Sequence, residues 1–274
     1  MTFFKQGLMA VALLGTVFVP SAQAEPQPEG TRYVRMSFSD GRPDAIGLDA
    51  VNAHLLKVGV RVSEVPIPES ARSLIETSRM RSLDAQEQGR LLSIFALDRQ
   101  ALLREIDQAG RQSAVKDGGS LTTSEEGVPP YPKIYDMKAL GPDTVAFLMK
   151  KFGRLHVNRT DAGQGIDEVM TIISGGPYTW FFVLEDGSVA KVRFSAVAEA
   201  DKGWRISYPG LVPHGGYFDA KHGLVVAYAH GPEQFVMRYE DVSSRASGCL
   251  GDNPWIDFEA APPKLLERAK NGTR

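Results

Sequence analysis

The sequence predicts an α+β chain: a helix-bearing front segment followed by an antiparallel β-barrel or sandwich. Three observations carry this expectation. Apolar residues at helical spacing dominate the front half, over residues 84–110. The rear half holds short apolar runs separated by turn residues at regular intervals. Between them, residues 113–132 are dominated by Gly, Ser, Thr and Pro and read as a long loop or linker.

The 274 residues begin with a targeting pattern. Lys5 precedes an apolar run from Leu8 to Val19, about 12 residues and too short to span a bilayer. Pro20 ends the run, and Ala22-Gln23-Ala24 supplies the small-x-small pattern of a cleavage site. A cleavable signal peptide over residues 1–24 is expected, with Glu25 as the new N-terminus and a periplasmic or secreted location; an N-terminal core helix is the rival reading. No Cys follows the cleavage point, so no lipid anchor is expected, and no later stretch is apolar for long enough to span a membrane.

A hydrophobic content of 43% and a charged content of 23% suit an ordinary globular chain long enough to bury its own core. The net charge is −2, and loss of the leader's single lysine takes it to −3. With no Lys/Arg block, nucleic acid and anionic membranes are poor partners. The chain's one cysteine, Cys249, cannot close an internal bridge and reads as a buried thiol sooner than a nucleophile.

In the front segment (25–112), Val34, Met36 and Phe38 alternate on one face of a strand that ends at Asp40-Gly41. Asp49 is expected to cap a short helix bearing Val51, Leu55 and Leu56, and Val60–Val65 to form a strand ended by Pro66. Asp84 and Glu87 make a capping-box pattern before Leu91, Leu92 and Phe95. Asp98 caps a second helix with Leu102, Leu103 and Ile106, closed by Gly110. The rear part opens with a helix from Asp143 to Phe152. Strands follow at Val169–Ser174, Tyr178–Leu184, Val189–Val197, Trp204–Tyr208, Leu224–Tyr228 and Phe235–Tyr239, with Asp186-Gly187 as a hairpin turn. A barrel over 133–245 and a tail over 246–274, helical after Pro262, complete the expectation.

Four of the five histidines, His156, His214, His222 and His230, lie in the β-rich part; His54 does not. There is no His-Glu-x-x-His, Gly-x-Ser-x-Gly, Walker loop or Cys-x-x-Cys, which argues against zinc proteases, α/β-hydrolases and P-loop enzymes. One constellation remains. His156 and Asn158 precede Glu168, six residues separate Glu168 from Gly175, five separate Gly203 from Pro209, and His214 stands five after Pro209. Over residues 131–245 this resembles the two-part signature of the cupin superfamily: His-x-His, Glu and Gly, then Gly, Pro and His. The helical segment before the barrel is similar to an acireductone-dioxygenase-type layout. The sequence departs from the pattern in three places. Asn158 replaces the second histidine, nine residues separate it from Glu168 where three or four are usual, and Leu211 stands where a Gly is preferred.

The resemblance implies a jelly-roll barrel and a divalent metal held by His156, Glu168 and His214, with Asn158 as a weak fourth ligand or an orienting group. Two imidazoles and a carboxylate suit Fe(II) first, with Mn(II), Ni(II) or Zn(II) as alternatives. It implies a metal-dependent dioxygenase-type oxidoreductase on a small organic substrate; a homodimer is plausible on the same ground. The rivals are a small-molecule binding or sensing module that has lost catalysis, which Asn158 favours, and a structural or interaction protein. His156 also reads as an ordinary hydrogen-bonded histidine. Asp167 is expected to face solvent, Asp161–Gly165 to be a plain loop sooner than an anion cradle, and His214–Tyr217 to be a tight turn. His222 and His230 are expected to be structural or exposed. Tyr178, Trp180, Phe182 and Phe194 would line a cavity or fill the core. No general base is assigned; Asp167 and Tyr217 are only neighbours.

Overall fold

Alternating apolar residues place their side chains on one face, and that pattern builds this fold from its first strand. The computed structural model describes residues 32–115, 118–198, 202–218, 222–240 and 250–270. The expected signal peptide and Cys249 lie outside them. β1 (Val34–Phe38) buries Val34, Met36 and Phe38 and leaves Arg35 and Ser37 half-buried. β2 (Ala45–Ile46), α1 (Leu48–Leu55) and β3 (Arg61–Val65) follow. Asp49 lies in the first turn of α1 and is not its cap; Gly47 is, at a φ of 88°.

α2 (Glu69–Met80) carries no sequence expectation, though it buries Ala71, Leu74, Ile75 and Ser78 at helical spacing. Its polar composition hides a narrow apolar stripe. α3 (Ala85–Ile94) starts at the expected capping box: the Glu87 N–H donates to Asp84 and the Asp84 N–H donates back to Glu87. α4 (Arg99–Gln108) is capped by Asp98.

The segment 113–132 is not a free tether. Its β4 (Ser124–Glu125) pairs in parallel with β13 (Gln234–Arg238), and Ser120 exchanges backbone hydrogen bonds with Gly231. Beyond it come β5 (Lys133–Asp136), α5 (Pro142–Gly153), β6 (Val157–Arg159) and β7 (Asp167–Ser174). Then follow β8 (Tyr178–Val183), β9 (Val189–Phe194), β10 (Gly203–Pro209), β11 (His214–Tyr217) and β12 (Leu224–His230). After β13 the tail forms β14 (Ile256–Asp257) paired with β15 (Lys264–Leu265), where a helix after Pro262 was expected. Trp255 and Ile256 bury themselves against β8 and β9, which holds the tail flat on the sheet.

Two five-stranded antiparallel sheets result, in the orders β11-β8-β9-β1-β2 and β3-β10-β7-β12-β5. Their inner faces meet in one core: Phe182 packs on Tyr208 with centroids 5.5 Å apart, and Phe194 on Trp204 at 5.8 Å. Because β1 and β3 are members of these sheets, the front segment is part of the sandwich, and the described residues belong to one compact unit. The fold is α+β with a cupin-like antiparallel β-sandwich. β7 is buried along its whole length, with the core on one face and α4 against the other. That double cover overturns the expectation for Asp167, which is buried and accepts from Arg111 Nε at 3.0 Å. His230 is fully buried between Ser113 and Arg99, and His222 is exposed. No helix among the described residues is long and apolar enough to cross a membrane.

Candidate functional site

His156 and His214 meet because their backbones do. The two residues form an antiparallel bridge, exchanging N–H···O bonds of 2.9 and 3.0 Å. Residues so paired sit side by side, and the ring centroids are 4.5 Å apart. The His-Gly-Gly-Tyr run is therefore strand β11 and not a turn. Its glycine serves close approach: a Cβ on Gly215 would fall 2.9 Å from the Phe152 carbonyl oxygen at the end of α5.

Glu168 enters from β7, beside Tyr208 of β10 and Ala229 of β12. The nine-residue gap before it is absorbed by a loop that closes on itself. Thr160 N–H donates to Gln164, Gly163 N–H to Thr160, and Ile166 N–H to the Asn158 carbonyl. Asp161–Gln164 is thus an exposed excursion that returns at buried Gly165, and Asn158 still reaches Glu168.

Each imidazole is held by a backbone carbonyl. His156 Nδ1–H donates to Arg154 and His214 Nδ1–H to Val212, both at 2.8 Å. A carbonyl oxygen only accepts, so Nδ1 carries the hydrogen and Nε2 of a neutral ring keeps its lone pair. Burial, reinforced by the neighbouring His214, pushes His156 down to about 3, so it is neutral near pH 7. Burial pushes Glu168 up, but the adjacent His214 and hydrogen bonds from Tyr131 and Asn158 outweigh that and hold its carboxyl below the usual value. Tyr131 Oη donates to Oε1 at 2.7 Å. Asn158 Nδ2 donates to Oε2 at 3.0 Å and lies 3.3 Å from His214 Nε2, while Oε2 and His214 Nε2 are 3.4 Å apart. The Asn158 amide therefore bridges an imidazole and a carboxylate, and its own Oδ1 is buried without a partner.

His156, Asn158, Glu168 and His214 all line one cavity of about 60 Å³, room for about four waters. Trp180 joins that lining, whereas Tyr178, Phe182 and Phe194 are fully buried core residues. Among the described residues, no group of three or more His, Cys, Asp or Glu side chains is drawn tightly enough to hold a metal ion. The donor set nevertheless suits one: two imidazoles with fixed tautomers, an ionised carboxylate and an orphaned amide oxygen. Asp167 faces away from this site, and Tyr217 donates to the Pro263 carbonyl.

Tyr131, Lys133 and Tyr135 line the same cavity without any sequence expectation. Their signal was the period-two alternation Tyr131, Lys133, Tyr135 that runs into β5, masked by Pro129, Pro130 and Pro132.

The two-layer antiparallel sandwich is cupin-like in fold, and the imidazole–carboxylate cluster lines its cavity. In particular, the chain is similar to the acireductone dioxygenase from Bacillus anthracis, solved with a cadmium ion in its active centre, with a TM-score of 0.50 and 15% identity over 76% of this chain and 99% of that one. At that identity the likeness speaks for the fold alone. No family model matches the chain, and no curated protein does.

Proposed function

We propose that this chain is an exported, metal-dependent enzyme of the dioxygenase type acting on a small organic molecule, with His156, Glu168 and His214 as metal ligands. The observation that carries the reading is the pair of imidazoles whose Nδ1 atoms are anchored on backbone carbonyls while Glu168 stands 3.4 Å from His214 Nε2. Metal-binding histidines are oriented by such hydrogen bonds. When bound, a divalent ion supplies Lewis acidity toward substrate oxygens and, if redox-active, access to O₂ chemistry. The chain's own groups do the rest. Tyr131 keeps Glu168 ionised and aimed, the carbonyls of Arg154 and Val212 fix the rings, and Trp180, Phe152 and Phe218 give the cavity apolar walls.

The test is metal content of the purified protein lacking residues 1–24, beside a H156A/H214A double variant. Near-stoichiometric transition metal that disappears in a folded double variant supports the proposal. Absence of metal after anaerobic reconstitution with Fe(II), Mn(II), Ni(II) and Zn(II) refutes it. One observation favours a second reading, a small-molecule binding module without catalysis: the Asn158 amide occupies the gap between carboxylate and imidazole that a cation would fill. An N158H variant that gains metal where the parent takes none would support that alternative.

A further inference from the structure

Lys133 is a cation at this cavity without a carboxylate of its own. It lines the cavity, yet among the described residues its Nζ donates only to the Pro129 carbonyl, at 3.1 Å, and rests 4.2 Å from the centroid of the Tyr131 ring. The nearby acids are engaged elsewhere. Glu125 accepts from Lys151 at 2.8 Å, and Glu168 accepts from Tyr131 and Asn158. Lys133 is half-buried and its acceptor Pro129 is exposed, so this side of the cavity borders solvent. The backbone beneath it is fixed, because Lys133 pairs with Ala227 of β12 in the sheet. A π face and one carbonyl leave N–H donors of the ammonium free for a ligand.

Between this cation and the imidazole–carboxylate floor the walls are aromatic. Tyr135, Phe152 and Phe218 stack mutually at 5.8–6.5 Å, and Trp180 packs on Phe218 at 6.3 Å. We propose that the cavity takes a small organic acid, with its carboxylate on Lys133, its apolar body against these rings and its far end toward His156 and His214. The inference deepens the metalloenzyme reading, since a divalent ion beside Glu168 would turn the cavity positive and favour an anion further. A cation at the mouth adds selectivity and steering for anions, and both weaken with salt.

The experiment compares isobutyrate with its neutral near-isostere isobutyramide, by titration calorimetry on the metal-reconstituted protein and on the metal-free protein. The expected result is a preference for the acid of about five- to tenfold, lost in K133M, kept in K133R and reduced by salt. Melting curves establish that both variants are folded. Equal binding of acid and amide, binding of neither, or a preference that survives in K133M overturns the proposal. An acid preference that survives in K133M but vanishes in H156A/H214A would mean that the metal reads the anion, which leaves the metal reading standing and removes this one. If no metal binds, the acid preference of the metal-free protein and its loss in K133M still decide the role of Lys133.

Discussion

Replacing Tyr131 by Phe removes one hydroxyl and keeps the ring. That hydroxyl donates to Glu168 Oε1 at 2.7 Å, while Asn158 and His214 engage the other oxygen at 3.0 and 3.4 Å. Y131F therefore takes a buried, ionised carboxylate oxygen and removes its donor. Hydrogen bonds to charged groups contribute about 1.5–3 kcal/mol, against about 0.5–1.5 kcal/mol for neutral ones. For a chain of this size about 1 kcal/mol moves the melting temperature by about 2–4 °C, so Y131F should melt about 3–12 °C lower. The cause is isolated by a double-mutant cycle with E168Q, which keeps the shape and removes the charge. Urea unfolding near pH 7, read at constant m-value, gives the four stabilities. A coupling of about 1 kcal/mol or more is expected, because the tyrosine is worth more to a carboxylate than to an amide. A coupling indistinguishable from zero would refute the claim that Tyr131 stabilises the charged form of Glu168.

Acid should weaken the fold through His156. Burial and His214 hold its folded pKa at about 3, below the ordinary 6.5, so the unfolded chain takes up the proton first as pH falls. The stability contribution is complete above about pH 6.5 and declines toward pH 3 by up to about 1.4 kcal/mol per unit. H156Q should flatten urea midpoints between pH 6.5 and 4, and parallel profiles for parent and variant would count against it. On the opposite face of β7, D167A leaves the Arg111 guanidinium buried without its 3.0 Å partner, at a cost of about 3–5 kcal/mol. The double variant D167A/R111M should recover part of that loss; a double variant no more stable than D167A would argue against the ion pair as the cause.

The sequence by itself determined the local elements whose signals are short-range. The Asp84–Glu87 box and the Asp98 cap start helices where expected, because a cap is a contact between residues three apart. Alternation in β1 and the apolar runs of β7–β10 and β12 likewise declared strands, and the spacing among His156, Glu168 and His214 pointed to residues that do share a cavity. Tertiary structure decided what those elements face. Asp167 looked solvent-facing because strand neighbours alternate, but α4 covers that second face and Arg111 supplies a charge from 56 residues away. Tyr131 sat in the stretch 113–132 that read as a loop and Lys133 just beyond it, with no role assigned to either; pairing of β5 with β12 fixes Lys133, and both line the cavity. The His214–Tyr217 run read as a turn from its glycines, whereas the close approach of α5 is what demands Gly215. In each case the deciding partner is far along the chain. Periodicity records that a side chain will be buried; which distant group meets it is fixed only when the sheets close.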